Sequence, residues 1–507
     1  MTAIPIIQPD DVHNRALAAN VHPADWVNPK PQERYNLVVI GAGTAGLICA
    51  AGAVGLGARV ALIEQHLMGG DCLNFGCVPS KGLIRASRAL FDAARGKEFG
   101  VHPRDGITFD FGTAMERMRR IRAEISRHDS AVRYRDELGV DLFIGRGEFT
   151  APDCIEVDGI RLFFERAAVC TGARASAPPI PGLAETGYLT NETVFSLTTL
   201  PKRLAVIGAG PIGCELAQAF ARFGSRVTLI ELGPRVLGKE DSDAARVIQS
   251  ALVREGIVIQ AGVTVTSVSA AADGTKITIE REGHVEVVIV DQILVGAGRI
   301  ANTEGLGLAR AGVACDPSGV TVNDRLQTSN KSIYAAGDVC SPHKFTHTAD
   351  AMARILIANA LFRGRQKTSA LVIPWCTYTD PEVAHVGMHE QDAWDRGLEV
   401  TTLTVALNDN DRAIIDGEPE GFTRVHLKKG TDRILGATIV ARHAGEMING
   451  FTLAMTNGLG MSAIARTIHP YPTQGEIVRR LGDAYNRTRL TPTVKNILTA
   501  WLKWQRR

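Results

Sequence analysis

The chain carries no charge bias: 56 Lys and Arg stand against 54 Asp and Glu in 507 residues, a net charge of +2. Nothing therefore offers the basic surface that nucleic acid requires as a main partner. A secretory signature is also missing. Met1-Thr2-Ala3-Ile4-Pro5 is followed by Asp10 and Asp11, with no Lys or Arg before Arg15, whereas a signal peptide sets basic residues ahead of an apolar run. A reducing cytoplasm is the expected compartment. Cysteines at zinc-ligand spacing are lacking, because Cys154, Cys170, Cys214, Cys315, Cys340 and Cys376 are solitary and a structural site needs paired ligands; no metal is expected. No stretch reads as a membrane span. Leu37 to Ala58 is 22 residues without a charge, but six of them are glycine. Their order, an apolar run, clustered glycines and an Ala-rich run, is that of a buried strand, a turn and a helix.

What is present is a repeat. A chain of this length should hold roughly three or four domains. Residues 1–34, rich in Pro, Asn and Asp, read as a surface extension, in part disordered. Leu37-Val38-Val39-Ile40 then leads through Gly41-Ala42-Gly43-Thr44-Ala45-Gly46 into a helix and a second strand, Arg59 to Glu64. The same grammar returns from Leu204 through Gly208-Ala209-Gly210-Pro211-Ile212-Gly213 to Arg226–Glu231, at a constant offset of 167 positions. One GxGxxG alone is weak. Two in register, each ending in an acid, are strong: the glycines admit a pyrophosphate, the helix N-terminus gives it N–H groups, and Glu64 or Glu231 accepts from ribose hydroxyls. Helix–strand packing accounts for one glycine of each three. Two dinucleotides are expected.

Directly after the first copy, Cys72 and Cys77 stand five positions apart. Pro79-Ser80-Lys81 reads as the first turn of a helix, which sets Cys77 at a helix N-terminus where a thiolate is stabilised. A redox pair is the favoured reading; two neighbouring buried thiols or half a zinc site are the alternatives. Because the first nucleotide must exchange electrons with sulfur, FAD is assigned to the first copy and a nicotinamide nucleotide to the second. Glu231 would repel a 2′-phosphate, favouring NAD(H) over NADP(H), although Arg235 keeps NADP open.

Elsewhere, Met115 to Leu138 reads as one long Arg-dense helix with a solvated face. Glu148 to Gly172 reads as strands, and the Pro-rich Ala177–Gly182 as a domain boundary. Strands over Gly256–Val268 and Lys276–Val290 lead to Gly298, and Ser332–Asp338 forms another buried strand. From Pro374 no nucleotide signature remains. Val494, Ile497, Leu498, Trp501 and Leu502 form an apolar helical stripe beside Lys495, Lys503, Arg506 and Arg507. Such a stripe usually docks on its own protein; peripheral contact with a membrane surface is the alternative.

With these pieces assembled, Tyr35 to Asn486 resembles the class I FAD-dependent pyridine nucleotide-disulfide oxidoreductases, the family of dihydrolipoamide dehydrogenase, glutathione reductase and mercuric reductase. The resemblance implies an α/β fold with two Rossmann-like dinucleotide-binding domains plus a C-terminal α+β dimerisation domain. Its implied boundaries are a 1–34 extension, FAD-binding segments at 35–190 and 325–370, an NAD-binding domain at 191–324 and a dimerisation domain at 371–507. Cys72 and Cys77 match the family's redox-active disulfide, and Lys81 its helix lysine, paired with Glu215. Thr171-Gly172, Gly337-Asp338 and Phe345-Thr346 match its further FAD contacts, and Gly298 lies in the turn over the nicotinamide nucleotide. Of the two thiols, Cys72 is expected to be the more accessible and to attack the acceptor.

The departure lies near the end. The family carries His-Pro-Thr-x-x-Glu, whose His–Glu pair, given by the partner subunit of a homodimer, moves substrate protons. Here Pro472-Thr473 and Glu476 align, which puts Tyr471 where that histidine belongs, with His469 two residues upstream. A phenol with a pKa near 10 is a poor base at neutral pH. Tyrosine here resembles mercuric reductases, yet no cysteine follows Cys376, so their second cysteine pair is absent. The expected activity is an NAD(P)H oxidoreductase reducing a disulfide or another thiol-reactive small molecule. A quinone or metal-ion reductase and a non-catalytic redox sensor are the alternatives.

Overall fold

A computed structural model describes residues 7–102 and 106–506. The chain forms two compact units, one of residues 1–232 and 256–371, the other of residues 233–255 and 372–507.

In the first unit the repeat is visible strand by strand. Tyr35–Ile40 lies between Val60–Glu64 and Ile160–Val169, all parallel; Asp141–Ile144 flanks one side and Ile333–Ala335 pairs with Ile160–Val169 on the other. A second parallel sheet orders Val258–Ala261, Arg226–Glu231, Arg203–Ile207 and Gln292–Val295. The sheets share register as well as order. Leu37 faces Val60 as Leu204 faces Val227, and Ile40 faces Ile63 as Ile207 faces Ile230, each pair separated by the same 167 positions. Nearly unbroken apolar strands such as Leu37–Ile40 are what a parallel sheet buried on both faces requires, and Leu37, Val38 and Val39 are fully buried.

Two expectations are corrected here. The extension contains an ordered helix, Val12–Val21, N-capped by Asp11 and burying Asn14, Leu17 and Val21; Met1 to Ile6 fall outside the described residues. The Arg-dense stretch is not one long helix. It is Phe111–Ile125, followed by short turns at Ser126–Asp129 and Arg133–Glu137. Nor is its basic face all solvated, because Arg119 and Arg122 are buried. Arg119 pairs with Asp11 at 2.5 Å, and Arg122 donates to Asn14 Oδ1 at 2.7 Å. Both arginines share the helical phase of Phe111, Met115 and Met118, and they fasten the extension to the unit.

The second unit is built on a five-stranded antiparallel sheet in the order Pro374–Thr377, Glu382–Gly387, Ile434–Ala441, Phe422–Lys428, Val400–Ala406. The helix Ile477–Arg489 buries Ile477, Val478 and Leu481 in its core. The final helix, Pro492–Gln505, buries nothing. Within this chain its apolar stripe is exposed. Among the described residues, no helix is long and apolar enough to cross a membrane.

Candidate active site

The strand Val60–Glu64 delivers the chain to Gly69 and Gly70, both at positive φ. A Cβ on Gly70 would stand 2.6 Å from the Gly43 Cα, so only glycine lets the cysteine turn press against the first glycine turn. Cys72 sits on the short helix Gly70–Asn74, and Cys77 is the first residue of the helix Cys77–Arg95, behind Gly76. The expected helix start at the second cysteine is therefore found. This helix packs along Pro211–Phe223, where the Arg222 guanidinium lies 3.9 Å over the Phe91 ring.

The two thiols are opposite in character. A hydrogen bond from Cys72 draws the Cys77 pKa down to about 6, with Thr346 and the Lys81 charge assisting against burial. The Cys77 Sγ lies 3.5 Å from Thr346 Oγ1. The same bond to Cys77, with burial, pushes Cys72 far above the ordinary thiol range. Lys81 Nζ meets Glu215 Oε2 at 2.7 Å, the carboxylate being almost wholly buried. In the chain by itself Cys72 is half-buried on its short helix and Cys77, which opens its helix, is exposed.

Side chains that the motifs do not announce hold this turn. Asn74 Nδ2 donates to the carbonyls of Met68 and Gly70 at 3.0 and 2.8 Å, and Arg122 Nη1 donates to the Asn74 carbonyl at 2.7 Å. Asp71 accepts from Asn191 at 3.0 Å and pairs with Arg299 at 3.1 Å. Arg299 also reaches Asp338 at 3.7 Å and donates to the Ala173 carbonyl at 2.7 Å. Burial raises the Asp338 pKa, and Arg299 and Lys344 moderate it. The turn from Gly298 thus joins the first nucleotide module: Arg299–Ala301 pairs with Ala173–Ala175, and Asn302 accepts from Thr171 Oγ1 at 2.6 Å and donates to Gly172 O at 3.0 Å. For Arg122 the signal was its helical phase. Arg299 and Asn191 meet Asp71 only through tertiary contact.

The glycine turns divide by function. A Cβ on Gly46 would lie 1.8 Å from the Gly41 carbonyl, and on Gly213 1.9 Å from that of Gly208. Gly41 and Gly208 adopt φ of +100° and +101° against Cys170 and Gly296. Packing therefore requires two glycines of each three, one more than expected. The middle glycines are different. A Cβ on Gly43 would have only Gly70 nearby, at 3.7 Å, and on Gly210 nothing within 4 Å. Gly43 and Gly210 are also N-caps without side-chain hydrogen bonds, leaving open approaches to helix N–H groups that suit a pyrophosphate. Glu64 accepts from Ala42 N at 2.7 Å, as Glu231 does from Ala209 N at 2.6 Å. Burial raises the Glu64 pKa against its backbone hydrogen bonds. Gly337 is at positive φ, and Phe345 caps the helix Thr346–Phe362. These residues fit two dinucleotides.

In the second unit Tyr471 and Glu476 share one charged cluster, Arg480 reaching both Asp411 at 3.6 Å and Glu476 at 2.9 Å. Tyr471 is 69% exposed, and its hydroxyl donates to Asp411 at 2.9 Å; that bond raises its pKa. Glu476 is buried between Arg479 at 2.6 Å and Arg480 at 2.9 Å. Burial pushes its pKa up, but the two arginines outweigh it and hold the carboxyl below its usual range. His469 Nδ1 meets the Thr467 carbonyl at 3.1 Å.

Residues 35–353 match the family described as pyridine nucleotide-disulphide oxidoreductase, and residues 373–481 match its dimerisation domain. A mercuric reductase of Lysinibacillus sphaericus is 35% identical over 446 residues, 88% of this chain and 81% of that one. A dihydrolipoyl dehydrogenase of Chlamydia muridarum is 32% identical over 459 residues, 88% of this chain and 95% of that one. Among solved structures, the HOCl-induced flavoprotein disulfide reductase RclA from Escherichia coli aligns with a TM-score of 0.79 at 29% identity, over 89% of this chain and 99% of that one. Two glycine turns in register, a cysteine pair beside the first and a dimerisation domain behind them place the chain in the pyridine nucleotide-disulphide oxidoreductase family, as a flavin disulfide oxidoreductase.

Proposed function

We propose that the chain uses NADH and FAD to drive the Cys72–Cys77 pair, and that the acceptor is a small species captured by sulfur, a soft metal ion in preference to a dialkyl disulfide. The observation that carries this reading is the contrast between a preset thiol–thiolate pair at Cys72 and Cys77 and a Tyr471–Glu476 segment in which the phenol pKa is raised and the carboxylate is held ionised by two arginines. The domain boundaries anticipated above are adopted, with a homodimer joined through 371–507 and working in the cytoplasm. Gly41, Gly43, Gly46, Glu64, Thr171, Gly172, Gly337, Asp338, Phe345 and Thr346 would hold FAD; Gly208, Gly210, Gly213, Glu231 and Gly298 would hold the nicotinamide nucleotide. When bound, FAD supplies two-electron exchange between that nucleotide and the sulfurs.

The chain's own groups do the rest. Lys81, fixed by Glu215, and Thr346 keep Cys77 as thiolate, while Cys72 keeps its proton until an acceptor binds. A soft divalent ion displaces that proton to solvent and is held by both thiolates. Transfer of two electrons, both to one mercuric ion or one to each of two cupric ions in succession, then leaves the two sulfurs bonded to each other. Reduction of a dialkyl disulfide would instead require a proton for the departing thiolate. Tyr471 hydrogen-bonded to Asp411 is a weaker acid than free tyrosine, and Glu476 is held ionised by two arginines, so neither readily gives that proton. The relatives named mercuric reductase, and a solved Cu(II) complex of RclA at 28% identity, support this acceptor class. NADH preference rests on Glu231; Arg235 donates through Nη2 to the Gly238 and Glu240 carbonyls at 3.0 and 2.9 Å.

The test is steady-state oxidation of NADH and NADPH with mercuric ion, cupric ion, oxidised lipoamide and glutathione disulfide. Turnover with a metal ion, at least about tenfold better with NADH and abolished by Cys72→Ser, is expected. Faster turnover of lipoamide or glutathione disulfide than of either metal ion would overturn the acceptor class.

A further inference from the structure

We propose that the final helix, Pro492–Gln505, is a docking element for an anionic bilayer surface and lies in the plane of that surface. The proposal is independent of the sulfur chemistry. Val494, Ile497, Leu498, Trp501, Leu502 and Trp504 fall on one arc of the helix and are all exposed, from 39% for Val494 to 64% for Trp504. The preceding helix buries its apolar side chains in the unit's core, so this is a face built and left uncovered rather than a short core.

Charge selects the occupant. Lys495 and Arg506 border the apolar arc and Lys503 lies opposite; Arg487 and Arg489 precede the helix, and between Asp483 and the final residue there is no Asp or Glu. An acid-free basic segment complements anionic headgroups. It is poorly suited to a second copy, since pairing of this helix with its two-fold mate would set like charges together. The tryptophans at 501 and 504, with ring centroids 5.0 Å apart, are the side chains that favour the water–hydrocarbon boundary. At 14 residues the helix is about 21 Å long, short of the ~30 Å hydrocarbon core, so it rests on a membrane instead of crossing one.

The experiment is co-sedimentation of the full-length flavoprotein with vesicles of phosphatidylcholine alone and of phosphatidylcholine with phosphatidylglycerol. Binding only to the anionic vesicles, weakened by high salt, is expected. Each basic residue near such a surface contributes about fivefold in partition, so the combined variant Lys495→Gln, Lys503→Gln, Arg506→Gln should bind on the order of 100-fold less. Trp501→Ser with Trp504→Ser should also release the protein, its charge unchanged. Both variants should keep NADH oxidation in solution and the mass of the parent. Failure of the parent to bind anionic vesicles, unchanged binding by the charge variant, or a loss of dimer mass without any vesicle binding by the parent would each overturn the proposal, the last by assigning the helix to a second copy.

Discussion

The cysteine turn of the first unit and the Tyr471 segment of the second are built in opposite ways. Around Cys72 and Cys77 nearly every backbone and side-chain group is fixed: Asn74 is bonded to three neighbours, Asp71 is held by Asn191 and Arg299, and Lys81 is locked to Glu215. Around Tyr471 the hydroxyl has one partner, Asp411, and the ring stands in solvent. Glu476 is firmly held, but by arginines that quench its basicity and not by a histidine that would use it. The difference teaches that the sulfur pair is preorganised within one unit, while Tyr471 and Glu476 are joined only through the Asp411–Arg480 pair.

The sharpest way to break this comparison is at the sulfurs. Cys72→Ser or Cys77→Ser should lower acceptor reduction by about 1,000-fold or more, because no second nucleophile is provided, whereas Tyr471→Phe should change it less than about threefold. A comparable fall in Tyr471→Phe, measured with the same acceptor, would mean that the second unit does take part in proton transfer.

Next in size is the support of the turn. Arg122 is 2% exposed, burial lowers its pKa to about 10, and it bonds Asn74 and Asn14 together. Arg122→Met would leave two buried acceptors unpaired, at a cost of about 3 kcal/mol, to be read from urea unfolding. An unchanged midpoint would show that the extension helix is not coupled to the cysteine turn.

The smallest effect concerns the thiolate. Cys77 holds its charge above about pH 6 and loses it as pH falls through that value, so alkylation of the reduced protein by iodoacetamide should fall tenfold per unit below it. Lys81→Met removes a cation that lowers this pKa, and the inflection should move up by about one unit. An inflection that stays put would assign the acidity to Cys72 and Thr346 alone.

Much of this was legible in the residues. The offset of 167 positions that aligns Gly41 with Gly208 also reproduces the strand register, because apolar parallel strands, obligatory glycines and a terminal acid are local requirements written at fixed spacing. The helix start at Cys77 and the 2.7 Å Lys81–Glu215 pair were likewise anticipated, the second through family resemblance. The extension helix was missed because its weak periodicity is stabilised from outside: Asn14 and Asp11 gain these partners only when Arg122 and Arg119 arrive more than 100 positions later. Composition likewise made those arginines look solvated.

Local chemistry, then, determined the two nucleotide turns, the cysteine pair and the loss of histidine at Tyr471, since each depends on residue type and short spacing. Tertiary structure alone decided which carboxylate is held ionised and which arginines are buried. Those properties come from fields and burial created by side chains distant in the chain, and no short stretch of residues contains them.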